Sequence, residues 1–272
     1  MDRVNFRSNY QRGGILFPMV ALNDNEIIEV QQQYWTLCGP GKTLEGRQRL
    51  FGHLIHPWVT RLVSHPIILE KVSALIGSDI LVWVSEFNAK APKSPKYFSW
   101  HQDLYYWGHK FDEDYINMPM VTVWLSLFTA NLSNGCMRVI PGSHTHLMKH
   151  IENPNDHNML TRSQELQVNV DEQKAVAVEL CAGEFSIHHP LIYHASSANL
   201  SNEWRVGLVT RYLSPKIAPP LRPAYAWLVS GEDINSTWDH VAPINYLAGN
   251  DGQILCAKSI RSVEACTRSV FK

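Results

Sequence analysis

The chain has 272 residues, 45% of them hydrophobic and 18% charged, with a net charge of −1 when histidine is neutral. That composition suits a soluble protein with a sizeable core, and near-zero charge leaves no electrostatic footprint for nucleic acid or an anionic lipid surface. A single domain, 1–272, is expected, because all-β barrels of this length are often one domain. The longest apolar runs, such as Ile80-Leu81-Val82-Trp83-Val84, are too short to span a bilayer, so no membrane partner is expected. Met1-Asp2-Arg3-Val4-Asn5 lacks the basic-then-apolar order of a signal peptide, and five scattered cysteines without a CxxC read as free thiols of a reducing cytoplasm.

In chain order, residues 1–78 read as a mainly helical lead-in. A mobile start gives way to a short strand at Ile15-Leu16-Phe17. Asn23 and Glu26 then form a capping box for a helix with Ile27, Val30, Tyr34 and Leu37 at helical spacing, ended by Gly39-Pro40-Gly41. A short helix is expected near Pro57 and a clearer one from Pro66, stopped by Gly77. From residue 79 the period changes. Strands are expected over 80–87, 97–104, 121–128, 136–140, 175–180, 184–192 and 206–213, with Asn134-Gly135 as a hairpin turn. Residues 145–172 are polar and irregular, the kind of long segment that often covers a site. Short strands divided by turns predict an antiparallel barrel or sandwich core over 79–215, with helices outside it and a weakly patterned tail over 216–272.

The chemistry concentrates in Trp100-His101-Gln102-Asp103. Positions i and i+2 of a strand share a face, so His101 and Asp103 can present imidazole and carboxylate to one metal ion. A third ligand must come from His188, His189 or His194, and pattern alone does not choose among them. Two histidines and one carboxylate with open positions remaining is the ligand set of non-haem Fe(II) oxygenases. A carboxylate-bearing co-substrate then needs a fixed cation. Arg205 is the natural candidate, opening a strand that could run beside the one ending at His194.

At these residues the chain resembles the phytanoyl-CoA dioxygenase family of Fe(II)- and 2-oxoglutarate-dependent oxygenases. The matching pieces are His101-Gln102-Asp103, Trp124, the run from Asn134-Gly135-Cys136 to Pro141-Gly142-Ser143-His144, and His189-Pro190-Leu191-Ile192-Tyr193-His194-Ala195-Ser196 followed by Arg205. They cover about residues 80–215. The resemblance implies a double-stranded β-helix (jelly-roll, cupin-like) core, mainly β with flanking α-helices. It implies His194 as the third metal ligand, and Arg205 and Ser196 as holders of the far carboxylate of 2-oxoglutarate. Trp124 and Gln102 would line the co-substrate or substrate side, with Asn88 and Lys90 on a neighbouring contact strand. Fe(II), 2-oxoglutarate and O₂ are the implied cofactors, with succinate and CO₂ as co-products.

Ser99-Trp100-His101-Gln102-Asp103, Tyr106-Trp107-Gly108 and Arg211-Tyr212-Leu213-Ser214-Pro215 look more like microbial small-molecule hydroxylases, such as 2-aminoethylphosphonate hydroxylase, than the peroxisomal enzyme. Related halogenases carry a small residue in place of the carboxylate, so Asp103 implies hydroxylation or a related oxidation. Tyr105, Tyr106, Trp107 and His109 are candidate walls of the substrate pocket. Arg138, Arg162 and Arg211 are candidate anchors for an anionic or zwitterionic small molecule. Two rivals remain: a zinc-type hydrolase on a cupin-like barrel, which needs no carboxylate-binding arginine, and a non-catalytic ligand-binding relative.

Overall fold

The computed structural model describes residues 3–107, 117–160, 163–219, 222–243, 254 and 257–262. Elements follow in the order α1 (Arg3–Gly13), β1 (Ile15–Val20), α2 (Asp24–Cys38), α3 (Gly52–Ile55), α4 (Pro57–Val63), α5 (Pro66–Ile76), β2 (Ile80–Lys90), β3 (Phe98–His101), β4 (Met120–Ser126), β5 (Met137–Ile140), β6 (His150–Glu152), β7 (Gln164–Leu166), β8 (Val176–Val178), β9 (Glu184–His188), β10 (Tyr193–Ser196), β11 (Arg205–Leu213), β12 (Tyr225–Ser230) and β13 (Asp239–His240). The fold is mainly β, as expected. A seven-stranded sheet has the order β1-β9-β4-β11-β2-β12-β13, a four-stranded sheet the order β3-β10-β5-β8, and β6 and β7 form a ribbon.

Contacts gather the chain into two compact units: 1–44, 88–105 and 124–208 in the first, and 45–87, 106–123 and 209–272 in the second. In the first unit the capping box forms as the sequence requires. Asn23 Oδ1 accepts from the amides of Asn25 and Glu26, and Glu26 Oε2 accepts from the Asn23 amide at 2.8 Å. Helix α2 buries Val30 and Tyr34 and turns Trp35 edge-on to Phe128 and Trp204. The chain start is not the mobile lead its polar composition suggests. Phe6 and Tyr10, one helical turn apart, are both buried and hold α1 as a helix.

Two further expectations are corrected in this unit. Asn134-Gly135 does not close a hairpin, since β4 lies in the seven-stranded sheet and β5 in the four-stranded one. Instead Leu132–Asn134 is a 3₁₀ turn capped by Gly135 in the left-handed region (φ 76°). A Cβ on Gly135 would overlap the Ser197 carbonyl, so the glycine is required by close backbone approach as well as by the turn. The strand expected over 184–192 stops at His188, and the next begins only at Tyr193. Pro190 has no amide to give a ladder, and across it the chain passes from β9, paired with β1, to β10, paired with β3 and β5.

The second unit carries α3–α5, with Pro66 in the first turn of α5 and Gly77 at its end (φ 97°). Its part of β2 is buried on both faces, the pattern of a central strand rather than an alternating one. Within the weakly patterned tail, β12 pairs antiparallel with β2, Trp227 opposite Val82. Trp83 packs edge-on to Trp238, and Tyr212 Oη donates to the Val63 carbonyl at 2.7 Å.

Candidate metal centre

Strand pairing assembles the site within the first unit. The antiparallel register sets His194 of β10 directly opposite His101 of β3, and the two rings lie 4.0 Å apart. Strand β3 ends at His101. Asp103 opens a 3₁₀ turn, Asp103–Trp107, so the carboxylate reaches the histidines because the chain bends there and not by strand alternation. Asp103 Oδ1 stands 3.8 Å from His101 Nε2 and 3.7 Å from His194 Nε2, and all three side chains are buried.

Both imidazoles are oriented by the main chain. His101 Nδ1 lies 2.8 Å from the Ser99 carbonyl and His194 Nδ1 2.9 Å from that of Ile192. A carbonyl only accepts, so each Nδ1 carries the proton and each Nε2 keeps its lone pair for a metal. Burial, then the neighbouring His194, hold His101 well below the usual histidine range, which keeps it a neutral ligand. Two nitrogens and one oxygen within 4.8 Å of one another are a donor set that fits a divalent iron-type ion.

Beside this triad is a cluster of buried basic side chains. Ser196, two residues beyond His194 on the same face of β10, receives a 2.6 Å hydrogen bond from Lys90 Nζ. Lys90 is fully buried and also donates to the carbonyls of Ser197 and Gly135. Burial, reinforced by the charge of Arg205, pushes it down to about 6. Arg205 is buried too, its guanidinium 4.7 Å from the Trp124 ring centre, and burial lowers it to about 10, so it remains cationic at neutral pH. Arg205 Nε, Arg205 Nη1 and Trp124 Nε1 are buried donors without a hydrogen-bond partner, and neither Lys90 nor Arg205 has a carboxylate partner among the described residues. Orphan donors of this kind mark a place for a ligand. Arg205 reaches the cluster from the seven-stranded sheet, not from a strand beside β10, since β11 lies between β4 and β2.

The other sequence candidates fall in different places. Gln102 is fully buried, and its amide is engaged by backbone: Nε2 donates to His146 and Leu191, and Oε1 accepts from Met148. Asn88 shares the face of β2 that bears Lys90. Tyr105 stacks on His150 at 4.0 Å. Arg138 stands opposite Ala195 in the β5–β10 register, on the face of the sheet away from His194. It pairs there with Glu172 at 2.8 Å over the Trp100 ring and lines a groove of about 580 Å³ that Ser196 also borders. Arg211, in the second unit, is engaged by Glu86 at 2.7 Å. Tyr106 and Trp107 lie on the 3₁₀ turn, but their side chains, with His109 and Arg162, lie outside the described residues.

Gly207 and His150 were not legible as site residues. A Cβ on Gly207 would overlap the Trp124 indole, so glycine on β11 makes room for the ring that covers Arg205. No local signal marks it, because the clash comes from a residue distant in sequence.

A buried two-histidine, one-carboxylate cluster that could hold a metal ion lies beside Lys90 and Arg205, basic residues without a carboxylate partner among the described residues. The phytanoyl-CoA dioxygenase (PhyH) family model matches residues 41–207, more than half of the sequence, and the chain belongs to that family. Among solved structures it is similar to the non-heme monooxygenase ThoJ, at 27% identity and a TM-score of 0.84 over 97% of this chain and 98% of that one. Among curated proteins it is 28% identical to L-proline trans-4-hydroxylase of Streptomyces griseoviridis over 61% of this chain and 67% of that protein. It is 29% identical to the ectoine dioxygenase of Bordetella bronchiseptica over 39% of this chain, a match spanning about a third (34%) of that protein. The jelly-roll class expected from the sequence is the fold this chain shares with the solved structures it resembles.

Proposed function

We propose that the protein is an Fe(II)- and 2-oxoglutarate-dependent dioxygenase that hydroxylates a small polar metabolite or natural-product intermediate. The observation that carries this reading is the adjacency of the triad His101, Asp103 and His194 to a cluster of buried basic side chains with unfilled donors. A zinc hydrolase would need the first and not the second. The names of the relatives, ectoine dioxygenase and proline hydroxylase among them, support the class and a small polar substrate.

In this scheme His101, Asp103 and His194 hold the metal through two Nε2 atoms and one carboxylate oxygen. Bound Fe(II), with 2-oxoglutarate and O₂, supplies the oxidising chemistry and leaves succinate and CO₂. Arg205 offers a planar, bidentate fork to the far carboxylate of the co-substrate. Lys90 and the Ser196 hydroxyl add a second cation and a donor, and Trp124 covers the guanidinium and keeps water from it. The Arg205 donors are already desolvated and without acceptors, so a carboxylate reaching them replaces no protein partner there. Asp103 supplies the carboxylate that a halogen-binding site would lack, which favours hydroxylation. Tyr105, close to Asp103 along the turn, is proposed to wall the substrate side.

The test is succinate release from 2-oxoglutarate over a panel of amino acids and other zwitterions, with Fe(II) present. Substrate-stimulated succinate that disappears in Asp103→Ala supports the proposal. Undiminished coupled turnover by that variant would remove the triad assignment.

A further inference from the structure

Between His101 and Asp103, the Gln102 amide lies just past the end of β3, where the ladder can no longer satisfy it. Its acceptor is His150 Nε2, at 3.1 Å. A backbone amide only donates, so Nε2 is the accepting nitrogen, and Nδ1 carries the proton that is donated to the Met148 carbonyl at 3.0 Å. The tautomer of His150 is therefore fixed at both ends. Its ring is buried and stacked against Tyr105, 4.0 Å away and inclined by 24°.

The same turn is held through Gln102 at 2.7 Å to the His146 carbonyl, 2.6 Å to the Leu191 carbonyl and 2.8 Å from the Met148 amide, while the Leu104 amide reaches the Pro190 carbonyl at 3.0 Å. Segment 146–150 and the Pro190-Leu191 connection leading to His194 thus grip one peptide turn. Among these bonds, that of His150 falls on the peptide that joins the first metal ligand to Gln102.

We propose that His150 is a positioning residue of the metal centre: by accepting from the Gln102 amide it fixes the His101–Asp103 turn in the geometry that places both ligands on one ion. The proposal rests on the metal reading given above. Without the acceptor, a fully buried amide is left unmet and the turn relaxes toward another partner, drawing Asp103 Oδ1 away from the two Nε2 atoms. Residues that orient metal ligands from behind typically change metal affinity 10–100-fold when lost.

Two variants separate the acceptor from the ring. His150→Phe keeps a ring against Tyr105 and removes the acceptor; His150→Gln restores an acceptor without the stack. Co(II) affinity is measured on the full chain by visible absorption under anaerobic conditions, together with the KM for 2-oxoglutarate at saturating Fe(II) and the melting temperature of the metal-free protein. The expected result is a Co(II) Kd raised about 10–100-fold in His150→Phe, largely recovered in His150→Gln, with an unchanged KM for 2-oxoglutarate because the Arg205 pocket is untouched. Wild-type affinity in His150→Phe, or equal loss in both variants, overturns the positioning role and leaves the ring as packing alone. Failure of the wild-type protein to bind Co(II) would instead bring down the metal reading itself.

Discussion

Replacing Arg205 by methionine separates a structural charge from one kept for a ligand. The guanidinium is buried, lacks a carboxylate partner among the described residues, and leaves Nε and Nη1 without acceptors. If the guanidinium holds a co-substrate carboxylate through two charge-assisted hydrogen bonds of about 1.5–3 kcal/mol each, Arg205→Met loses both, about 3–6 kcal/mol together. That corresponds to roughly 10²–10⁴-fold weaker 2-oxoglutarate binding. The metal-free, co-substrate-free protein should respond in the opposite sense. Removing an uncompensated buried cation relieves a desolvation cost of several kcal/mol, against a lost desolvated cation–π contact with Trp124 of about 2 kcal/mol or more. Its melting temperature should hold or rise. Calorimetric titration of 2-oxoglutarate and thermal melts with and without it give both numbers. Wild-type affinity in the variant, or a loss of about 3–5 kcal/mol in the unliganded protein as when a buried ion pair is broken, would refute the assignment.

Lys90 carries a pH signature. Its folded value of about 6 lies below the ordinary 10.5, so the unfolded chain binds more protons between those values. Its contribution to stability is therefore complete above about 10.5 and is lost as pH falls toward 6; Lys90→Met should flatten the pH dependence of unfolding across that window. A carboxylate bound beside Lys90 favours the ammonium, so 2-oxoglutarate binding at pH 8 should take up protons in the wild type and not in Lys90→Met, as read by calorimetry in buffers of different ionisation enthalpy. Gly207→Ala forces Trp124 off Arg205; a stability loss of about 1–3 kcal/mol by denaturant titration should come with a raised KM for 2-oxoglutarate. Tyr212→Phe in the second unit removes the donor to the Val63 carbonyl and should lower stability by about 1–3 kcal/mol in the same titration.

The sequence exposes what local chemistry determines. Asn23 and Glu26 cap a helix because their partners lie within three residues, and Pro66 and Gly77 bound another for the same reason. His101 and Asp103 were legible as a candidate metal pair, weak by spacing alone and strengthened by the downstream histidines and Arg205, although a turn and not strand alternation brings them together. The third ligand could not, because what selects His194 over His188 and His189 is its cross-strand position opposite His101, a long-range register. Asn134-Gly135 misled for a related reason: the glycine answers to the backbone of Ser197 and Ala198 as well as to its own turn. α1 was hidden because what ties it down is distant in sequence, the burial of Phe6 and Tyr10 and the bonds from His144 and the Gly142 amide to the Gln11 and Gly13 carbonyls, and Gly207 because its constraint is the Trp124 ring. His150 sits in a polar stretch rich in histidine and asparagine, where nothing in the local pattern marks the one side chain that reaches the Gln102 amide.

The central claim is that this triad and pocket together hold Fe(II) and 2-oxoglutarate. An anaerobic titration of 2-oxoglutarate into the protein with one equivalent of Fe(II) tests it most directly. A weak visible charge-transfer band should grow to saturation at one co-substrate per chain, and should require both components. No band under those conditions, with turnover supported by zinc instead, would contradict the account and favour a metal hydrolase.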